Sequence, residues 1–356
     1  MRRSTGKVAA LVVAALCGTS AIAAAQAVPP APVQPAGNSG YHVSRRAVLG
    51  GDGGWDYLTP DPAAHRLYLS RGTHVMVVNT DSLTVAGDIP NTEGVHGIAL
   101  VPDLGRGYTS NGRAGTVTEF DTRTLATLKV ISDVGRNPDA IIFEPVSRRV
   151  LTMNGGTGNV SAIDVATDSV VGSVAVGGKP EFAVADGTGH VFVNNEDSST
   201  VVEFDARSLT VLHTWSMKPC DGPSGLAMDV RTRRLFAVCG NQKMMVVDAN
   251  NGRVVADLPI GQGADGVKFD PNTRNAFSSN GDGTMTVVHE DSPSRFTVVG
   301  NVPTQRGART LALDETTGRV YTVTAEFGPA PAPTPERPRS RPPMLPNTFT
   351  LLVIEK

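Results

Sequence analysis

Helical periodicity is the first thing missing from this sequence. Outside residues 8–17 no apolar stripe recurs at i, i+3, i+4 and i+7 over three turns, which excludes helix bundles and doubly wound α/β folds. Long apolar runs are missing too. The one candidate, Val8 to Cys17, is too short to span a bilayer as a permanent helix. Aromatics are scarce at 5%, and there is no surplus of positive charge, with Lys+Arg 32 against Asp+Glu 34. Without a basic patch the chain has no electrostatic footprint for duplex nucleic acid, whose affinity comes from neutralising phosphates. The three cysteines form no C-x-x-C or C-x-x-C-H, and the seven histidines show neither H-x-H nor H-E-x-x-H, so the signatures of structural zinc and of c-type haem attachment are lacking. There is also no G-x-S-x-G elbow. What is plentiful is turn material: 38 Gly and 25 Pro stand beside 40% apolar residues, enough for a core built from short elements.

Arg2, Arg3 and Lys7 precede the apolar run and Ala25-Gln26-Ala27 follows it, a pattern that predicts a secretory signal over residues 1–27, cleaved after Ala27. Leu16 stands before Cys17 where a lipidation motif carries a small residue, which argues against a lipid anchor. Losing those three cations takes the formal charge from −2 to −5. The expected product is a mildly acidic periplasmic or secreted protein with no transmembrane segment. Residues 28–40 are a Pro/Gly/Ala linker with little to bury.

Residues 41–356 repeat. HRLY (65–68), RGYT (106–109), RRVL (148–151), HVFV (190–193), RRLF (233–236), RNAF (274–277) and GRVY (318–321) each follow a turn-forming cluster, at steps of 40 to 44 residues. A second marker keeps step with the first: VMVVN ends at Asn79, VTEFD at Asp121, VSAID at Asp164, VVEFD at Asp205, MMVVD at Asp248, MTVVH at His289 and LLVIE at Glu355. The last step is 66 residues, so the seventh copy carries an insertion, placed at 328–347. Each copy holds four strand-length runs separated by Gly, Asn, Asp or Pro. Seven four-stranded repeats predict an all-β fold, a seven-bladed β-propeller with four antiparallel strands per blade. The seventh copy ends after its third strand, whereas VSRRAVLGG (43–51) resembles the fourth-strand segments at 254–261 and 169–178. The N-terminal strand is therefore expected to close the last blade, leaving no open edge there.

Endings such as VVEFD, SAID and MMVVD, followed by SLTV or GRVV and a Gly-rich turn, are similar to those of the YVTN-repeat propellers of the YncE family of exported bacterial proteins. The resemblance covers residues 41–356 apart from the insertion and implies the propeller scaffold. It carries over no catalytic residue: no copy contains YVTN itself, the nearest being YTVT at 321–324 and VFVNN at 191–195. The same shape serves lactonases and electron-transfer subunits.

In a propeller the turn entering the innermost strand opens on the channel mouth. Aligning the repeats on GADG (263–266) puts Asp56, His96, Asp139, Glu181, Ser224, Asp265 and Arg309 there. The turn between the second and third strands contributes Arg71, Asn111, Asn154, Asn195, Asn241, Asn280 and Glu326. Turn chemistry alone accounts for much of the Asn set. Four carboxylates in one mouth are another matter, because crowded like charges raise a carboxylate's pKa or recruit a cation. A hard divalent ion such as Ca²⁺, held by Asp139, Glu181 and Asp265 with an Asn154 or Asn195 carbonyl, suits that donor set. The alternative is neutralisation by Arg309 and His96. The expected function is non-enzymatic binding of a partner or small ligand at the mouth. The runner-up is a lactonase-like, metal-assisted hydrolase using the carboxylate ring, and an electron-transfer scaffold is a third reading. Two features complete the expectations. The Pro-rich insertion, with Arg337, Arg339 and Arg341, is expected to be a solvated polyproline arm on the mouth face. Cys220 and Cys239 fall at neighbouring strand ends of one blade, within range of a disulfide.

Overall fold

The computed structural model describes residues 1–2, 39–51, 53–332 and 342–356. All but the first two residues of the expected signal, nearly all of the linker and the three insertion arginines lie outside the described residues. The rest forms twenty-eight strands in seven four-stranded antiparallel sheets, a seven-bladed β-propeller. Among the described residues no helix is long and apolar enough to cross a membrane.

Blade 4 shows how the sequence lays down a sheet. Its strands, innermost first, are Pro180–Ala185, His190–Asn195, Thr200–Asp205 and Thr210–Ser216. Asp205 ends the third strand because its Oδ1 accepts the N–H groups of Arg207 (2.9 Å) and Ser208 (2.6 Å). Leu209 then takes φ 55° and the chain turns back. Asp121 and Asp164 do the same in blades 2 and 3. The marker aspartates are thus turn-capping residues, an ordinary use of a short carboxylate side chain.

The core lies between blades. Tyr68, Tyr108, Leu151, Phe192, Phe236, Phe277 and Tyr321, the repeated large residues of the second strands, are all fully buried. Phe236 of blade 5 stacks on Phe269 of blade 6, with ring centroids 5.1 Å apart. Burying each such ring contributes about 2–3 kcal/mol. Near the axis the inner strands touch backbone to backbone: a Cβ on Gly225 would lie 2.8 Å from both Asp265 O and Val267 N of the next blade.

Blade 7 contains Leu311–Asp314, Arg319–Thr324 and Thr350–Glu355, and its fourth strand is His42–Val48 from the other end of the chain. His42 pairs with Glu355 and Val48 with Thr350, with a bulge at Ser44. The expected closure is therefore present. Just before it, Tyr41 is buried edge-on against Phe277 of blade 6, centroids 5.1 Å apart.

The insertion corrects the expectation of a wholly solvated arm. Phe327 and Met344 form a β-bridge, Gly328 N donates to Pro343 O (2.9 Å) and Leu345 N donates to Glu326 O (2.8 Å). Proline lacks an N–H to donate, but its carbonyl still accepts, and that is how Pro343 joins the pairing.

Candidate functional site at the channel mouth

The mouth residues are positioned by a repeated break in register. Between the first and second strands, pairing jumps from Val95–Asn111 to Ile98–Thr109, from Pro138–Asn154 to Ile141–Thr152, and from Pro180–Asn195 to Ala183–Val193. It jumps likewise from Pro223–Cys239 to Leu226–Ala237 and from Ala264–Asn280 to Gly266–Ser279. The residues skipped include His96, Asp139, Glu181, Ser224 and Asp265. A bulge frees a side chain from the pleat and re-aims it. Asp56 and Arg309 sit at the equivalent places ahead of the inner strands of blades 1 and 7.

Acid and base alternate around part of this rim. Arg309 pairs with Asp265, stands 3.8 Å from Asp56 Oδ1 and donates to Trp55 O at 3.2 Å. Asp56 Oδ2 is 2.6 Å from His96 Nδ1, which is 3.6 Å from Asp139 Oδ1. On blade 4, Lys179 pairs with Glu196 and holds its Nζ 3.4 Å from Glu181 Oε2. That Glu181 oxygen has no hydrogen-bond partner among the described residues. Ser224 turns away from the charges, its hydroxyl donating to Ala264 O at 3.3 Å.

Five carboxylates, Asp56, Asp139, Glu181, Glu196 and Asp265, therefore share three bases, His96, Lys179 and Arg309, and burial together with this crowding raises the pKa of three of the carboxyls. Burial pushes Asp139 up to about 7; His96 opposes the shift and the charge of Asp56 adds to it. Burial, then the charge of Asp139, lifts Glu181 to about 8 against the pull of Lys179. Burial also raises Asp265 despite Arg309. For His96 burial opposes the charge, but the hydrogen bond to Asp56 and the fields of Asp139, Asp56 and Glu181 win, giving about 9. All three of these carboxyls are thus held above their ordinary range, and the His96 imidazole with them.

Two aromatic rings lie next to the rim, at the start of inner strands. Tyr57 and Phe182, each following a rim residue, pack at 5.3 Å between centroids. Burial and the charges of Asp139, Asp56, Glu181 and Asp265 push the Tyr57 hydroxyl well above its usual range. Beside the rim, a cavity of about 880 Å³ lies among Trp55, Arg306, Arg309, Phe327 and Met344. Trp55 packs there against Phe327 and Phe349, centroids 6.2 and 5.5 Å away.

Two expectations change. Asn154 and Asn195 do not serve the mouth: both are fully buried, and their amides donate to Ser161 (3.0 Å) and to Val176 O (2.8 Å). The Asn111, Asn154 and Asn280 carbonyls accept from Thr109, Thr152 and Ser278, two residues upstream. Val193 fills that position in blade 4, so Asn195 Oδ1 has no hydrogen-bond partner among the described residues. The metal grouping also differs. Among the described residues the three groups whose ligand atoms converge within 4.8 Å are Asp56, His96 and Asp139, in place of Asp139, Glu181 and Asp265. Lys179 and Arg309 occupy the last two.

Sequence reasoning missed Lys179 and Tyr57, although the repeats carry a signal for both. Lys179 stands where other blades have Gly94, Asn137, Gly222, Gly263 and Gly307. Tyr57 and Phe182 stand where the others have Gly97, Ala140, Gly225, Gly266 and Thr310. On blade 5 a disulfide joins Cys220 to Cys239 (S–S 2.06 Å), fixing the loop that leads to Ser224.

Fold and rim together define a seven-bladed β-propeller whose mouth gathers five carboxylates and three bases. A chain of Kuenenia stuttgartiensis hydrazine synthase is similar in structure, with a TM-score of 0.66 and 17% identity over 78% of this chain and 94% of that one. At that identity the likeness is one of fold alone. The sequence matches no family model and no curated protein.

Proposed function

We propose that this protein is an exported, non-enzymatic propeller of the YVTN-repeat kind that binds a small cationic ligand, organic or metallic, at its channel mouth. One observation carries the reading: Asp139 and Glu181 are held in a rim with more carboxylates than bases, and their pKa values are raised to about 7 and 8. An incoming positive charge relieves that crowding and displaces protons. The Cys220–Cys239 bridge supports export, since such bridges persist in oxidising compartments. The test is calorimetric titration at pH 7 with Ca²⁺, Zn²⁺ and 1,4-diaminobutane, in two buffers of different ionisation enthalpy. Saturable binding with proton release, weakened at least tenfold in Asp139→Asn or Glu181→Gln, supports the reading. If none of the three cations binds, it falls.

The convergence of Asp56, His96 and Asp139 favours a second reading, in which a metal ion held by these residues polarises an ester or lactone carbonyl. Metal-dependent lactone turnover that disappears in His96→Ala would replace the first reading with this one.

A further inference from the structure

A second cavity is bordered by Tyr57 and Phe182, one residue past their rim positions, and continues along the inner strands. It measures about 380 Å³ and is lined by inner-strand residues, among them Thr59, Ile98, Ile142, Phe143 and Lys268. Its walls are largely apolar, with the Tyr57 and Thr59 side chains and a single charged residue, Lys268, as the exceptions. Lys268 follows Asp265 by three residues, and the corresponding residues of the other blades are Thr59, Ala99, Ile142, Val184, Ala227 and Ala312. The scaffold therefore builds six blades without a cation there, and in the sixth blade the lysine's one charge contact is the face of Phe182.

The amine of Lys268 lies 5.0 Å from the Phe182 ring centroid. It makes no hydrogen bond or ion pair among the described residues; Glu315 acts on it only at longer range. Burial lowers its pKa against the influence of Glu315. A single amine with unused hydrogen-bond donors, in a cavity whose other walls are mainly aliphatic and aromatic, is half of a recognition pair. The missing half is an anion that brings its own apolar body.

The geometry points to a second binding site, in which Lys268 takes the carboxylate of a small organic acid and the apolar walls take its hydrocarbon part. The molecule then offers two sites of opposite preference, the rim for cations and this cavity for a carboxylate. A carboxylate fits better than a metal or an amine because the cavity supplies one cation and no free anion beside it.

Benzoate, phenylacetate and butyrate, each against its neutral amide, serve as probes. They are titrated into the mature protein by calorimetry and by ligand-observed NMR saturation transfer. The expected result is saturable one-to-one binding of at least one acid, with its amide weaker by tenfold or more. That comparison uses the unaltered protein, so it does not depend on how a variant folds. Lys268→Met, checked for cooperative unfolding, should lose the acid by at least tenfold. Equal binding of acid and amide, undiminished binding to the folded Lys268→Met protein, or failure of all three acids to bind overturns the assignment.

Discussion

Asp139 sets the sign of the molecule's response to pH. Its folded pKa of about 7 lies above the ordinary aspartate value near 4, so between those limits the folded state holds a proton that the unfolded state has released. The stability this proton confers is complete below pH ~4 and is lost as pH rises through 7. Glu181 adds to the slope up to about 8. His96 extends it, contributing fully below its unfolded value near 6.5 and losing its contribution as pH rises through about 9. The thermal midpoint is therefore expected to fall steadily from pH 5 to pH 9. Asp139→Asn, a mimic of the protonated acid, should be near neutral at pH 5 and stabilising by about 1–2 kcal/mol at pH 8; scanning calorimetry at both pH values checks it. The repeat alignment made Asp139 and Glu181 legible, because seven copies in register identify one column of the rim. Lys179 left a trace, a lysine where other blades have Gly or Asn, but its pairing with Glu181 and Glu196 depends on how two turns of blade 4 meet. Asn154 was misread because a turn residue's side chain can fold back onto its own sheet, which composition does not reveal.

The inner strands are held to the axis by glycine and to the rim by covalent and ionic ties. Gly225→Ala would thrust a methyl into the Asp265 carbonyl and the Val267 amide, contacts that backbone cannot yield cheaply. A loss of about 2–3 kcal/mol is expected, together with a changed titration of Asp265; chemical denaturation and NMR of the carboxyl carbons measure the two. The disulfide spans a sequence separation of 19, and replacing both cysteines by alanine should cost about 3 kcal/mol through the freed loop entropy. The two unfolding curves should coincide when the parent protein is reduced, and a remaining gap would assign the cost to packing. Strand number and order were legible from the double period. The base of the insertion was not: its pairing uses the Pro343 carbonyl and Phe327's packing on Trp55, neither of which has a periodic signature.

For the whole ring, the decisive element is the strand His42–Val48. Without it the strand Thr350–Glu355 becomes an open edge, and Tyr41 no longer covers Phe277. Deleting residues 39–48 should lower the thermal midpoint by ~10 °C or more and promote association through the bared edge, read by calorimetry and light scattering. This closure was foreseeable because the seventh repeat lacked one strand and the leading segment resembled one. The closed sheet also makes the two ends of the folded chain neighbours: Gly40 lies against the Lys356 side chain. Topologically the polypeptide is almost a circle already. A short peptide spacer from residue 356 to residue 40 should complete that circle without moving a blade, and new ends could then be opened at the exposed Arg207–Ser208 turn. Such a permutant should keep the circular dichroism and rim titration of the parent, with the seam carried from blade 7 to blade 4.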